Sequence, residues 1–335
     1  MQTENNILTD SHKREHSYLR ISLIERCNLR CTYCMPENGI ALSPRSHLMT
    51  YEEIYQIAST FVRNGVTKIR LTGGEPLIRK DIDVILKKLA SLNVELSITT
   101  NAILVDRFVD TLKENGIRNI NASLDSLDSE KFKQITRRDN FKKVFDNIHL
   151  LIKEGFHVKL NVVLIKDFNE NEIIDFINLT KDWPIVVRFI EFMPFNGNKW
   201  DVSKLVSYES IMNSAFNEFS KTKIIRLKDA QNDTSKNYKV SHYKGSFAVI
   251  STVTNPFCDS CNRLRLTANG QLKNCLFSSE ENDLLTQLRE GKSIEGVIQK
   301  SVLMKKKIRN GLTTNESFSN KKKHSENRSM IAIGG

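Results

Sequence analysis

Cys27-Asn28-Leu29-Arg30-Cys31-Thr32-Tyr33-Cys34 follows the first strand-like run of the chain, residues 18–24, and its reading decides the rest. The spacing C-x3-C-x2-C presents three thiolates from one tight loop and stops one ligand short of a closed shell. A structural zinc site completes four protein ligands, usually as paired C-x2-C or C/H units. An iron–sulfur cube held by three protein thiolates keeps one iron open, and an open metal position is where chemistry takes place. A redox metal with a vacant site is the leading expectation.

Working outward, the chain from Tyr18 to Met193 repeats one unit: a β-branched run, a polar turn, an amphipathic helix. Strands are expected over 18–24, 67–71, 94–99, 118–123, 157–165 and 185–192. Thr50-Tyr51-Glu52-Glu53 reads as a capping box ahead of the apolar stripe Ile54, Ile57, Ala58 and Phe61. Gly65, Gly116 and Gly155 each stand where a helix stops and the next strand starts. Six strand–helix units in series imply an α/β fold with a parallel sheet and right-handed crossovers. Six strands are too few to close as an eight-stranded barrel, so the sheet is either an open, curved partial barrel or a flat, doubly wound one. Both keep ligands at the carboxyl ends of the strands. From about Asp201 the pattern changes to short strands, an Asn269-Gly270 hairpin signal and short helices. The division expected is a polar N-terminal tail over 1–17, a barrel over 18–200, an extension over 201–299 packed on the barrel, and a basic tail over 300–335.

Polar or small residues end these strands: Thr72-Gly73-Gly74-Glu75-Pro76, Thr99-Thr100-Asn101, Ser123-Leu124-Asp125 and Glu191-Phe192-Met193. Each alone is an ordinary turn or helix cap; together they mark one end of one sheet. The glycine turn lacks the lysine of a P-loop and opens no G-x-G-x-x-G helix. Its glycines would let backbone approach a ligand, and Glu75 could accept a hydrogen bond from an amine. Arg20, Arg70, Lys159 and Arg188 interrupt strands that should be runs of Val, Ile and Leu if buried on both faces. A buried cation left unpaired costs roughly 3–5 kcal/mol. Either protein carboxylates such as Glu75 and Glu191 pair with them, or they share a lumen and receive a polyanion such as a triphosphate.

The six cysteines fall into two triplets, the second being Cys258, Cys261 and Cys275, which argues for metal ligands over disulfides. Zinc at the second triplet would need a distant His242 or His324. Arg263 and Arg265 alternate onto one strand face beside it. With 335 residues, 39% hydrophobic and 27% charged, the composition is that of an ordinary globular protein. No apolar run approaches the roughly 18 residues that span a bilayer, and the polar start is unlike a signal peptide, so no membrane and a cytoplasmic location are expected. The net charge is +11; residues 300–335 hold nine Lys/Arg against two Asp/Glu and so account for +7 of it. Without aromatics among Lys305-Lys306-Lys307 and Lys321-Lys322-Lys323, a solvated tail is expected there rather than a nucleic-acid partner.

The cysteine loop, with an aromatic before its last cysteine, and the Gly-Gly-Glu-Pro turn resemble the radical S-adenosylmethionine (SAM) superfamily. Within it the chain is similar to the GTP 3′,8-cyclase family of molybdenum cofactor biosynthesis. Residues 72–76, 123–125, 188–194 and 258–277 and the closing Gly334-Gly335 carry the likeness, which runs from about Tyr18 to the end. It implies a partial (β/α)6 TIM-like barrel of the radical SAM type, with a C-terminal α+β extension covering the open side. The activity implied is that of a lyase converting GTP to (8S)-3′,8-cyclo-7,8-dihydroguanosine 5′-triphosphate through a 5′-deoxyadenosyl radical. Two [4Fe–4S] clusters are implied: one at Cys27, Cys31 and Cys34, whose open iron chelates SAM, and one at Cys258, Cys261 and Cys275, whose open iron meets the guanine. Tyr33, Gly74, Ser123 and Met193 match the family's SAM contacts. Arg20, Arg70, Thr99, Lys159, Arg263, Leu264 and Arg265 match its GTP contacts, with Arg188 added to them, and no side chain is implied as acid or base.

Implied partners are GTP, an external electron donor and, by pathway, cyclic pyranopterin monophosphate synthase; a homodimer is left open. The Gly-Gly end is expected to reach into the active site. Ile24-Glu25 stands where Thr-Asp is usual, Lys13-Arg14 where Gly-Arg is, and Ala102 where a glycine follows Thr-Thr-Asn, so a positive φ there would be strained. A peptide-modifying radical SAM enzyme and a zinc-bearing, nucleic-acid-binding protein are the other readings open at this stage.

Overall fold

The computed structural model describes residues 6–334. Six strands stand where the periodicity puts them: β1 (Tyr18–Ser22), β2 (Lys68–Thr72), β3 (Glu95–Thr100), β4 (Asn119–Ser123), β5 (His157–Leu164) and β6 (Val186–Glu191). The helices between them start and stop for local reasons. Thr50 Oγ1 accepts the Glu53 N–H at 3.2 Å while the Thr50 N–H donates to the Glu53 carboxylate at 2.7 Å, closing the capping box. The helix Tyr51–Arg63 then buries Ile54, Ile57, Ala58 and Phe61. Ala102 does take a positive φ, +64°, at a cost of about 1–2 kcal/mol. Its N–H donates to Thr100 Oγ1 at 3.1 Å and its carbonyl accepts from Asn147 Nδ2 at 2.7 Å, which hold the turn without glycine.

The second half adds β7 (Ile224–Arg226), β8 (Lys236–Val240), β9 (Ser246–Ile250), β10 (Arg263–Leu266), β11 (Gln271–Lys273) and β12 (Asn282–Asp283). All twelve join one sheet in the order β12-β11-β10-β1-β2-β3-β4-β5-β6-β9-β8-β7. Because β10 runs parallel to β1 and β9 parallel to β6, eight adjacent strands are parallel, not six. The extension therefore does more than pack on the barrel: it covers both of its edges with strands, satisfying backbone groups that a six-stranded sheet would leave open. Among the described residues no ladder joins β7 to β12, so hydrogen bonding does not close the barrel.

Side chains alternate across a strand with period two. One face carries Leu19, Ile21, Ile69, Leu71, Ile98, Val158, Leu160, Val187, Phe189, Leu264 and Leu266, all buried in the main apolar core. The other carries Arg20, Arg70, Thr99, Lys159, Arg188, Arg263 and Arg265. The uniform apolar pattern expected of parallel strands fails here because this inner face bounds a cavity rather than a helix layer.

β9 and β10 are consecutive in the chain yet lie on opposite flanks of the six central strands. The loop 251–262 must bridge them, and its twelve residues reach on the order of 40 Å. Cys258 and Cys261 ride on that bridge, and the β10–β11 hairpin, turning at Gly270 with φ +74°, returns Cys275 beside them.

The basic tail is not simply solvated. Lys305, Arg309, His324, Asn327, Ile331 and Ile333 are buried. Arg309 donates to the carbonyls of Val253 at 2.9 Å and Thr313 at 3.2 Å. Phe318 and Ile333 join a second apolar cluster with Phe192, Phe195 and Phe277. No helix among the described residues is long and apolar enough to cross a membrane.

The seam between β9 and the six central strands is testable at Gly245, where an added Cβ would lie 2.3 Å from the Ile185 carbonyl oxygen. Gly245→Ala is expected to cost about 2–3 kcal/mol of stability, read as a lower urea midpoint; an unchanged midpoint would mean that the seam is loose.

Candidate functional site

The turn after β2 holds the first cysteine loop in place. Gly74 N–H donates to the Ile24 carbonyl at 2.7 Å and Glu75 N–H to that of Arg26 at 2.9 Å. A Cβ on Gly74 would stand 2.0 Å from the Arg26 oxygen, so only glycine permits this approach. Glu75 does not meet an amine or the strand cations. Its buried carboxylate accepts the Thr100 hydroxyl at 2.7 Å and the N–H groups of Asn101 at 2.7 Å and Leu77 at 3.1 Å. Burial pushes that carboxyl up to about 7, with these donors opposing. Glu191 is likewise committed, to the N–H groups of Val253 at 2.7 Å, Thr254 at 3.0 Å and Tyr208 at 3.2 Å and to the Thr254 hydroxyl. Pairing of these carboxylates with the strand cations is thereby excluded.

Around the loop, Leu29 N–H points at Cys27 Sγ from 3.4 Å and Asn101 Nδ2 from 3.6 Å. Tyr33 Oη donates to Asp125 at 2.8 Å, and Asp125 also accepts the Val163 N–H at 2.9 Å. Asn198 Nδ2 bridges the carbonyls of Tyr33 at 3.2 Å and Met193 at 2.8 Å, tying together two positions matched to SAM contacts. Nothing in the pattern around Asn198 announces this role. Ser123 ends β4 in register with Asn161 on β5. Burial pushes the thiols of Cys27, Cys31 and Cys34 up, Cys27 to about 11.

A cavity of about 360 Å³ lies on the inner face, walled by Arg20, Arg70, Lys159, Arg188, Arg263 and Arg265 together with Met193 and all three cysteines of the second triplet. Leu264 points instead into the core, so only its backbone can serve a ligand here. Thr99 is not in that wall, although its hydroxyl is buried without a partner. A cavity of about 410 Å³ opens beside Tyr33, Ile165 and Phe192, but no cysteine lines it.

Arg265, Arg20 and Arg70 face one another in register on three neighbouring strands, about 4.8 Å apart from strand to strand. Burial lowers Arg20 well below its usual range, and the charges of Arg265, Arg70 and Arg263 push the same way. Burial with Arg263 lowers Arg265 to about 10, and burial with Arg70 lowers Arg188 to about 9. Arg188 donates to Asn121, yet its Nε and Arg263 Nη2 have no partner, nor do Asn161 Oδ1 and Asn274 Oδ1. Crowded cations with unmet donors and acceptors, with Asp233 as the carboxylate in the same lining, have the charge and hydrogen-bonding capacity to suit a polyanion carrying polar groups.

At the second triplet, Arg309 N–H approaches Cys258 Sγ and Lys305 Nζ approaches Cys261 Sγ, both at 3.4 Å. Burial alone would raise Cys261, but the charges of Arg263 and Lys305 bring it down to about 6. Among the described residues no three His, Cys, Asp or Glu side chains converge on a single ion. His324 instead bonds the Phe318 carbonyl at 2.5 Å, which counts against zinc. Thiolates of a cube each bind a separate iron and need not converge on one point. All six thiols are free, and N–H groups aimed at sulfur suit iron–sulfur ligation. The chain end also comes inside: Arg265 Nη1 donates to the Gly334 carbonyl at 2.6 Å, and a Cβ there would lie 2.4 Å from Thr72 Oγ1. Gly335 lies outside the described residues.

Residues 21–180 match the Radical SAM superfamily and residues 185–311 the Molybdenum Cofactor Synthesis C family. The Molybdenum cofactor biosynthesis protein moc-5 of Caenorhabditis elegans is 46% identical over 304 residues, covering 89% of this chain and 50% of that protein. The GTP 3′,8-cyclase of Listeria monocytogenes is 41% identical, covering 88% of this chain and 90% of that protein. The chain spans about half the length of the animal relatives it matches. Among solved structures, Streptococcus suis SuiB bound to S-adenosylmethionine aligns with a TM-score of 0.59 at 17% identity, over 96% of this chain and 78% of that one, a likeness of fold.

Burial and the charges of Arg188 and Arg70 lower Lys159 to about 8. It is charged below that pH and loses its charge above it. Affinity for inorganic tripolyphosphate is expected to fall roughly tenfold between pH 7 and pH 9, and Lys159→Arg should flatten the profile. Calorimetry at the two pH values reads this, and a variant profile as steep as the wild type's would remove Lys159 from the anion wall.

Proposed function

The chain belongs to the radical SAM superfamily and, within it, to the GTP 3′,8-cyclase family, and we propose that it catalyses that family's cyclisation. On this reading GTP becomes (8S)-3′,8-cyclo-7,8-dihydroguanosine 5′-triphosphate, the first step of molybdenum cofactor biosynthesis. The carrying observation is one cavity in which six strand cations and the second cysteine triplet share a wall.

Cys27, Cys31 and Cys34 would hold one [4Fe–4S] cluster, and Cys258, Cys261 and Cys275 the other. With SAM on its open iron, the first cluster supplies a hydrogen-abstracting radical on reduction. The protein's part is placement. Gly74 presses the strand-end turn onto the cysteine loop, Asp125 orients Tyr33, and Asn198 links Tyr33 to Met193, so that these positions and Ser123 frame the SAM side. Arg20, Arg70, Lys159 and Arg188 would take the triphosphate, whose charge relieves their mutual repulsion. Arg263, Arg265 and the Leu264 backbone would fix the nucleoside against the second triplet, while Thr99 offers an unmet hydroxyl nearby. An external electron donor and the downstream cyclic pyranopterin monophosphate synthase would be its functional partners.

Anaerobically reconstituted protein is expected to carry about eight irons per chain, two cubes of four. With SAM, reductant and GTP deuterated at C3′, the deuterium should appear in 5′-deoxyadenosine; label left wholly in the nucleotide would sink the assignment. A second check concerns the wall. Arg20→Met should weaken GTP binding by about 2 kcal/mol or more, roughly thirtyfold. The same change should leave the melting temperature of the empty protein unchanged or higher, because it removes one of several repelling charges. A lower melting temperature with unaltered affinity would assign Arg20 to stability instead.

A further inference from the structure

Lys305 opens a lysine triplet that reads as solvent-facing, yet only 3% of it is exposed. Its Nζ sits 3.4 Å from Cys261 Sγ and donates to the Arg263 carbonyl at 2.9 Å. Among the described residues no carboxylate forms an ion pair with it. A buried ammonium without an anion costs several kcal/mol, and the negative groups on offer are the sulfurs of the second triplet. The lysine is also held in place. Arg14, itself buried and paired with Asp10 at 2.6 Å, donates to the carbonyls of Lys306, Lys307 and Cys258 at 3.0, 2.9 and 2.8 Å. One guanidinium thus locks the segment that carries Lys305 to the loop that carries Cys258. Lysine on an exposed tail needs no such clamp.

We propose that Lys305 is a positioning residue for the second metal group, its ammonium balancing the thiolate-held cluster and hydrogen-bonding Cys261. This rests on the reading that Cys258, Cys261 and Cys275 hold a [4Fe–4S] cluster. A cube becomes more negative on reduction, so an adjacent positive charge and an N–H···S bond favour the reduced form and raise its potential. The same ammonium holds the Arg263 carbonyl, at the start of the strand that carries Arg263 and Arg265 into the cavity. The tail's charge therefore serves the interior of the site.

The test is Lys305→Met, which keeps length and removes charge, in the reconstituted full chain, with iron analysis and a redox titration followed by electron paramagnetic resonance. The second cluster is expected either to be lost, iron falling from about eight to about four per chain, or to stay with a more negative midpoint. The first cluster's signal should be unaltered, and Lys305→Arg should restore the loss. Lys306→Met, at an exposed neighbour, should move neither iron content nor midpoint. Two full clusters with an unmoved second midpoint in Lys305→Met, or an equal shift in Lys306→Met, would overturn the proposal. Should Lys305→Met fail to fold, Lys305→Gln carries the same expectation and the same refutation, since it keeps an N–H donor and drops only the charge. Wild-type protein holding only four irons would instead overturn the two-cluster reading beneath it.

Discussion

Repulsion among half-buried and buried cations on the inner face of the sheet is the constraint that the rest of this structure accommodates. Arg265, Arg20 and Arg70 lie abreast on adjacent strands, with Arg188 and Lys159 across the cavity. Glu75 and Glu191 are consumed by backbone N–H groups and hydroxyls, and Asp233 is the carboxylate that lines the cavity, its charge acting on Lys159 and Arg188. The fold therefore keeps a wall with a large excess of positive charge, which costs stability and is offset by the continuous apolar core on the opposite face of the eight parallel strands. An excess of positive charge of this kind is what a bound anion would stabilise.

The two carboxylates show how that wall is framed. Glu75 knits the end of β2 to the end of β3, and Glu191 knits the end of β6 to the beginning of the bridging loop through Val253 and Thr254. Each is a short-range staple at a strand end, and each sits next to one cysteine triplet's approach. Gly74 completes the first staple by allowing backbone contact that no other residue tolerates. The bridge 251–262 is possible because β9 and β10 occupy opposite flanks, and it brings cysteines from late in the chain to a cavity built by its first half. The sheet order thus places the second cysteine set, late in the chain, in the wall of a cavity lined by strand cations from the first half.

Much of this was legible in advance, for physical reasons. Helix starts and stops depend on a few adjacent residues, so the Thr50–Glu53 box and the glycine ends were readable locally. Cysteine spacing within each loop is likewise local. The strand cations were visible as interruptions, although their partners were not, because Glu75 and Glu191 find theirs through contacts set by the sheet. Asn198 and Lys305 were invisible. An asparagine in a polar turn and a lysine in a basic run look like solvent-facing residues until long-range packing buries them, and the placement of β9 and β10 beside β6 and β1 depends on pairings spanning tens to hundreds of residues.

By itself, then, the order of residues determined the repeating strand–helix unit, the two incomplete thiolate sets and the face of each strand that carries charge, since all three follow from periodicity and spacing over a few residues. Only the tertiary structure decided that eight strands rather than six run parallel, that the second triplet and the strand cations line one cavity, and that a tail lysine is buried beside a cysteine. Those outcomes depend on which edges find partners and which charges lose water, and neither is a property of any short stretch of chain.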